Sequence, residues 1–117
     1  MAKVIDLAKA HFSAKARIRV EVPEWAEEEG KPFVVCASPL TLADRAKIER
    51  YRNAEGNNAA MAYTVIFKAE NEAGEKIFTL EDKRALMTKV DPNVLARLAV
   101  AIAVEESRDP EDPDSKK

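Results

Sequence analysis

The apolar residues of this chain change period at Arg17 and change back at Thr41, and these two switches restrict the fold more than any other feature. Before Arg17, Val4, Leu7, Ala8, His11 and Phe12 recur at steps of three and four. That spacing gathers them on one face of an amphipathic helix over residues 2–16, with Lys3, Asp6, Lys9 and Ser13 opposite. The segment is either such a helix or a mobile terminal arm. From Arg17 to Val22 the period is two. Ile18, Val20 and Val22 alternate with Arg17, Arg19 and Glu21, which describes a strand with one dry and one wet face. Pro23 ends it, because proline cannot donate to a strand ladder. Phe33 to Ala37, FVVCA, is a second apolar strand. The loop between them carries Trp25, a solvated acidic run (Glu27, Glu28, Glu29) and Gly30, so the two strands pair antiparallel across it.

From Thr41 onward the signals are helical. Thr41 and Asp44 have the spacing of a capping box, and Leu42, Ile48 and Tyr51 are the apolar positions of the helix they open. Asn53, Glu55, Gly56, Asn57 and Asn58 break that helix. Residues 59–70 are ambiguous. Tyr63 to Phe67 favours a strand, which would make a hairpin with Lys76 to Phe78 through Gly74, whereas Ala59 to Ala62 favours a helix. The helix is the reading adopted, and because it is apolar nearly all round it predicts burial on more than one side. Thr79 and Asp82 repeat the capping spacing ahead of a helix to Thr88, with Leu80, Leu86 and Met87 facing inward. Asp91 and Pro92 are the N-cap and first residue of the last helix. Its body, Val94 to Val104, contains one charged residue, Arg97. Leu95, Leu98, Ala99 and Ile102 form its main stripe, while Val100 and Val104 point away from it. Residues 105–117 are acidic and proline-containing, with too little apolar area to order, and are expected to be disordered. The expected architecture is α+β: one domain over residues 17–104, with a small antiparallel β-hairpin packed against three or four α-helices.

Composition removes several functions. A chain of 117 residues with formal charge −2 presents no broad field for nucleic acid or anionic membrane, and no apolar run approaches a membrane span. Cys36 and His11 are the only cysteine and the only histidine. They are too few for an ordinary zinc site, and each is better explained by packing than as a nucleophile–base pair. Cys36 alone allows no internal disulfide, which suits a cytosolic setting. Gly74 invites comparison with a calcium loop. Placed at the sixth loop position, however, it puts Ala69 first and Leu80 twelfth, so both essential acidic ligands are missing. Glu81 with Asp82, or Glu105 with Glu106, are adjacent on helices and point about 100° apart, so they do not converge as an acid–base pair. The basic cluster Arg45, Lys47, Arg50, Tyr51 and Arg52 is interrupted by Glu49 and lacks a stacking motif, and so describes a solvated helix face. The expectation is a protein without enzymatic activity, cofactor or metal. Its last helix is either a central core helix or one that also docks a partner.

Pro39-Leu40-Thr41-Leu42, the turn-and-cap run Gly74-Glu75-Lys76-Ile77-Phe78-Thr79-Leu80-Glu81-Asp82, and the final helix together resemble the tail assembly chaperones of long-tailed bacteriophages and prophages, over roughly residues 18–104. Where many members carry an acidic residue before the turn glycine, this chain has Ala73. The resemblance implies a non-enzymatic protein of the bacterial host cytoplasm that binds the tape measure protein, with the tail tube protein as a further candidate partner, and is absent from the mature virion. A tape measure protein is a long helical chain with apolar stripes, and helix-in-groove contacts would cover them. Members often exist in a short form and a frameshifted long form, and the Lys116–Lys117 codons are where a slippery run would lie. The alternative is a structural virion component, such as a head–tail connector or minor tail protein. Candidate partner contacts are Val94, Leu98, Val100, Ile102 and Val104 on the last helix, with Tyr63 and Phe67. Val100 and Val104 also suit a homo-oligomer.

Overall fold

The computed structural model describes residues 3–107 and the side chains through residue 103. It is α+β: a two-stranded antiparallel sheet and five α-helices. In chain order these are α1 (Val4–Ser13), β1 (Ile18–Val22), β2 (Phe33–Ala37), α2 (Leu42–Glu55), α3 (Asn57–Lys68), α4 (Lys83–Thr88) and α5 (Pro92–Ser107). Single 3-10 turns at Pro23–Trp25 and Leu80–Asp82 follow β1 and precede α4. α5 packs on β1; α2, α4 and α5 pack on α3; and α1 is additional.

The hairpin register pairs Ile18 with Ala37, Val20 with Val35 and Val22 with Phe33. The alternation of β1 is realised: Ile18 and Val22 are buried while Arg19 and Glu21 are exposed. In β2 both faces of the last three residues are buried. Cys36 exchanges backbone hydrogen bonds of 2.8 Å with Glu70, so the chain leaving α3 lies along the free edge of β2. Glu70 also bridges to Lys76. The turn between them is held by Asn71, whose Oδ1 accepts from the Ala73 and Glu75 N–H groups, and Gly74 supplies a φ of +89°. Residues 57–68 are therefore helix, yet a remnant of the alternative hairpin survives just beyond them.

Thr41 caps α2 as its spacing predicts. Its Oγ1 accepts from the Asp44 N–H at 3.0 Å, and the Asp44 carboxylate accepts from the Thr41 N–H at 3.0 Å. Asn53 and Glu55 do not break α2. The helix runs through both and stops at Gly56, which has φ +98° and ψ 172°, a region open essentially to glycine alone. With one residue between them, α2 and α3 fold back as an antiparallel pair. Asp44 reaches Lys68 at 2.9 Å, and Tyr51 stacks on Tyr63 at 3.8 Å between ring centroids.

α3 is the central element. Seven of its residues are buried, from Ala59 to Ile66, because α2, α4 and α5 all contact it. Its alanines let neighbouring helices approach closely. α5 lies between α3 and β1, and Val94, Leu95, Leu98, Ala99 and Ile102 fill the space with exposures of 6% or less. The Asp91 side chain accepts from the Asn93 N–H at 2.9 Å, the N-cap expected ahead of Pro92. Thr79 and Asp82 form the second capping box, which opens a 3-10 turn before α4. Ile77 and Phe78 are partly buried against the core, and Leu86 is fully inside it.

Two inward assignments fail: Leu80 is 56% exposed and Met87 42%, and Leu42, an apolar position of α2, is 85% exposed. Leu42 and Leu80 sit immediately after their caps, in a first turn that is rotated away from the core. α5 continues through Glu105 and Glu106 to Ser107, so the expected unstructured segment does not begin at residue 105. The rest of that expectation, residues 108–117, lies outside the described residues.

Candidate functional site

α1 is built as its periodicity requires, but nothing in the body covers it. None of its residues is buried, and Val4, Ile5 and Leu7 are 80%, 57% and 59% exposed. An isolated helix of this length is marginal in water, so its stability depends on what its apolar face touches. One side of that face borders an open groove of about 800 Å³ beside the start of α2, while Val4 and Leu7 lie outside its lining. Ile5, Ala8 and Phe12 form one wall. Leu40, buried at the end of the β2–α2 connection, forms the floor, and the exposed Leu42 forms the other wall. The charged residues lining the groove are Lys9 and Arg45, and Thr41 and Ser13 are its other polar residues. The Thr41 cap fixes where α2 begins and so turns Leu42 outward into the opening.

A smaller apolar cleft of about 310 Å³ lies on the hairpin, lined by Trp25, Phe33, Ile77, Phe78, Leu86 and Val90, with Glu27 at its lip. Trp25 meets Phe78 edge-on at 5.9 Å and Phe33 at 6.5 Å. The Trp25 turn is clamped to α5 by a bidentate pair, in which Arg97 donates to both Glu24 carboxylate oxygens at 2.8 and 3.1 Å. The Arg97 hydrogen bond holds the Glu24 carboxyl below its ordinary range, and the same bond raises Arg97.

The sequence-derived partner residues are mostly inside the protein. Val94, Leu98, Ile102 and Tyr63 are 2%, 0%, 1% and 6% exposed, so they hold the core and offer a partner no surface. The reason is geometric: α5 is covered by α3 on one side and by β1 on another, which consumes the wide apolar perimeter that suggested a docking face. Phe67 is partly buried under the Lys47 ammonium, 3.9 Å above its ring. Val100 is exposed at 54%. The side chain of Val104 lies outside the described residues, as do those of Glu105 and Glu106.

The basic cluster on α2 is largely used within the protein. Lys47 covers Phe67, Arg52 pairs with Glu49, and Tyr51 stacks on Tyr63. Tyr63 donates to Glu55 at 2.9 Å, and Lys83 pairs with the same carboxylate. The bond from Lys83, then that from Tyr63, lowers the Glu55 carboxyl, and Lys83 is raised in turn. Burial pushes the Asp44 carboxyl up, but the Thr41 N–H and the Lys68 ammonium outweigh it and leave Asp44 below its ordinary value. Asp82 serves as a cap rather than as half of an acid–base pair. Cys36 is 1% exposed within β2, and His11 stands exposed on α1. Among the described residues no group of three His, Cys, Asp or Glu side chains is placed to hold a metal ion. Among them, too, no helix is long and apolar enough to cross a membrane.

Sequence reasoning found the apolar face of α1 but not the groove, because it grouped Leu42 with Ile48 and Tyr51 as apolar positions of one helix. A helical step of about 100° per residue places Leu42 some 120° from Ile48 and 180° from Tyr51, which was the available signal. No protein-family profile, no curated protein and no solved structure matches the chain.

Proposed function

We propose that this chain is a tail assembly chaperone of a long-tailed bacteriophage or prophage. In this reading it binds the tape measure protein in the host cytoplasm, keeps it soluble while the tail is built, and is absent from the finished virion. The observation that carries the reading is the uncovered apolar side of α1, where Ile5, Ala8 and Phe12 face Leu40 and Leu42 across an open groove of about 800 Å³. A client with long apolar helical stripes needs such a surface, and helix-in-groove docking supplies it. The tail tube protein is a second client of the same kind, and Val100 is available for self-association. The role is that of a binding protein, not an enzyme, and calls for no cofactor.

The test is co-expression of the chain with a tape measure protein, a very long helical protein that this reading expects to be encoded beside it. The chaperone reading expects that protein to move from the insoluble to the soluble fraction and to co-purify with the chain. Leu42→Asp should abolish both effects while the chain stays folded. Mass spectrometry of purified particles provides the opposing result. Stoichiometric presence in virions would replace this reading with that of a connector or minor tail protein.

A further inference from the structure

We infer that the free edge of β1 pairs antiparallel with the β1 edge of a second copy of this chain, joining two hairpins into one four-stranded sheet about a two-fold axis at Val20. This assignment does not depend on the α1 groove or on any tape measure protein. Along an antiparallel strand, the N–H and C=O of one residue point to the same side, and the side alternates from residue to residue. Cys36 uses both of its groups on Glu70, at 2.8 Å in each direction. Its partner in the hairpin register is Arg19, so that pair carries no ladder bonds and Arg19 faces away from β2. By the same alternation Glu21 also faces away, while Ile18, Val20 and Val22 bond to β2. The outer edge of β1 therefore presents the N–H and C=O groups of Arg19 and Glu21, and among the described residues no backbone group bonds to them. The strand contains no proline, lysine or bulge to block an incoming strand.

This edge is complementary to itself. Two antiparallel copies of Ile18–Val22 centred on Val20 set Arg19 of each copy opposite Glu21 of the other. Those are the two outward-facing residues, so every outward N–H and C=O finds a partner. Both cross-strand pairs join opposite charges, which attract in a ladder where like charges repel. Arg19 also reaches Glu72 at 3.0 Å, in a pair whose side chains are 59% and 61% exposed. Glu72 lies on the β2 side of Arg19, and the guanidinium has donors for a second carboxylate on the edge side. Val20 is the half-buried member of the dry face, and on the axis it meets its own copy at the close, non-hydrogen-bonded position. The neighbouring registers fail. Centring on Arg19 opposes two arginines. Centring on Glu21 opposes two glutamates and sets Arg19 against Pro23, which has no N–H. A junction of one short strand per copy is small, so the dimer forms reversibly.

The experiment is sedimentation equilibrium of the full chain from micromolar to millimolar concentration, with amide hydrogen exchange read residue by residue at both ends of that range. The expected result is a monomer–dimer equilibrium in which the Arg19 and Glu21 amides gain protection as concentration rises. The Val20 amide, already bonded to β2, should be protected throughout. Glu21→Arg and Arg19→Glu, both at exposed positions, should each weaken dimerisation about tenfold by placing like charges opposite one another. Circular dichroism checks that each variant stays folded. An equimolar mixture of the two variants should regain the native affinity, because every mixed pair again joins Arg to Glu. Damage to the fold of either variant would not be rescued in this way. A chain that stays monomeric, a dimer whose Arg19 and Glu21 amides stay unprotected, or a mixture no tighter than either variant alone would overturn the inference. None of these results bears on the reading of the α1 groove, which lies on other elements.

Discussion

α1 and α3 are helices of similar length, ten and twelve residues, and each carries a wide apolar face, yet α3 buries seven residues and α1 none. The difference lies in what precedes and follows them. α3 leaves α2 through the single residue Gly56, so it must fold back along α2, and α4 and α5 then close over it. α1 is joined by Ala14–Arg17 to a strand whose dry face is already taken by α5. Hydrophobic periodicity states that a face needs cover; connectivity decides whether the chain itself supplies it. A face left bare is available to another molecule, and that is the physical basis for placing function on α1.

The comparison can be broken most forcefully at the core. Leu98→Ala empties space between α3, α5 and β1, and the loss should be about 2–5 kcal/mol in urea unfolding. A far smaller loss would mean that α5 is not enclosed on both sides. Gly56→Ala meets no neighbouring atom but forces an L-residue into a glycine conformation, and should cost about 1–3 kcal/mol. If thermal melts show no change, the one-residue reversal does not constrain α3.

Acid should weaken the body next. The carboxyls of Glu24, Asp44 and Glu55 are all held below their ordinary values. The stability they contribute is present above the unfolded-state values near pH 4 and is lost as pH falls through the lower folded values. Lys83 is raised, so its share is lost only in strong alkali, as pH climbs through its folded value above 10.5. Urea midpoints measured against pH should fall on the acid side, less steeply in Glu24→Gln. The smallest effect belongs to α1. Ile5→Ser should leave the unfolding free energy within about 0.5 kcal/mol, since the side chain is 57% exposed, while lowering affinity for an amphipathic helix in the groove that Ile5 lines. A large loss of stability there would show that α1 is part of the core after all.

Most of the architecture was legible before the structure. The alternation from Ile18 to Val22, the FVVCA run and the Thr41 cap are local signals, and each produced the element expected of it, whereas the Thr79 cap opened a 3-10 turn ahead of α4. The helix over residues 57–68 was legible only as the better of two readings, because Tyr63 to Phe67 suits either state and the tertiary neighbours decide. Val94, Leu98, Ile102 and Tyr63, read as candidate partner contacts, are core, because a broad apolar perimeter on α5 has the same sequence signature whether it meets the protein's own elements or a foreign one. Leu95, Leu98, Ala99 and Ile102 were correctly read as one stripe. That β1 would cover a second side, burying Val94, depends on a contact across more than seventy positions, and no local window contains it. The α1 groove failed for the complementary reason: Leu42 was grouped with Ile48 by residue type, although the helical step separates them.

The bidentate contact between Arg97 and Glu24 joins residues 73 positions apart, whereas the α2–α3 turn closes across one. Chain closure over long separations is slow, and the two contacts should therefore form at different times. The α2–α3 hairpin would nucleate, with Tyr51 and Tyr63 already stacked at the folding barrier, and α5 would dock onto β1 afterward. Substitutions at Tyr51 should slow refolding, and Arg97→Ala should chiefly accelerate unfolding, in stopped-flow measurements. The lifetime of the native protein is then governed by the α5 clamp rather than by the helical pair that starts the fold.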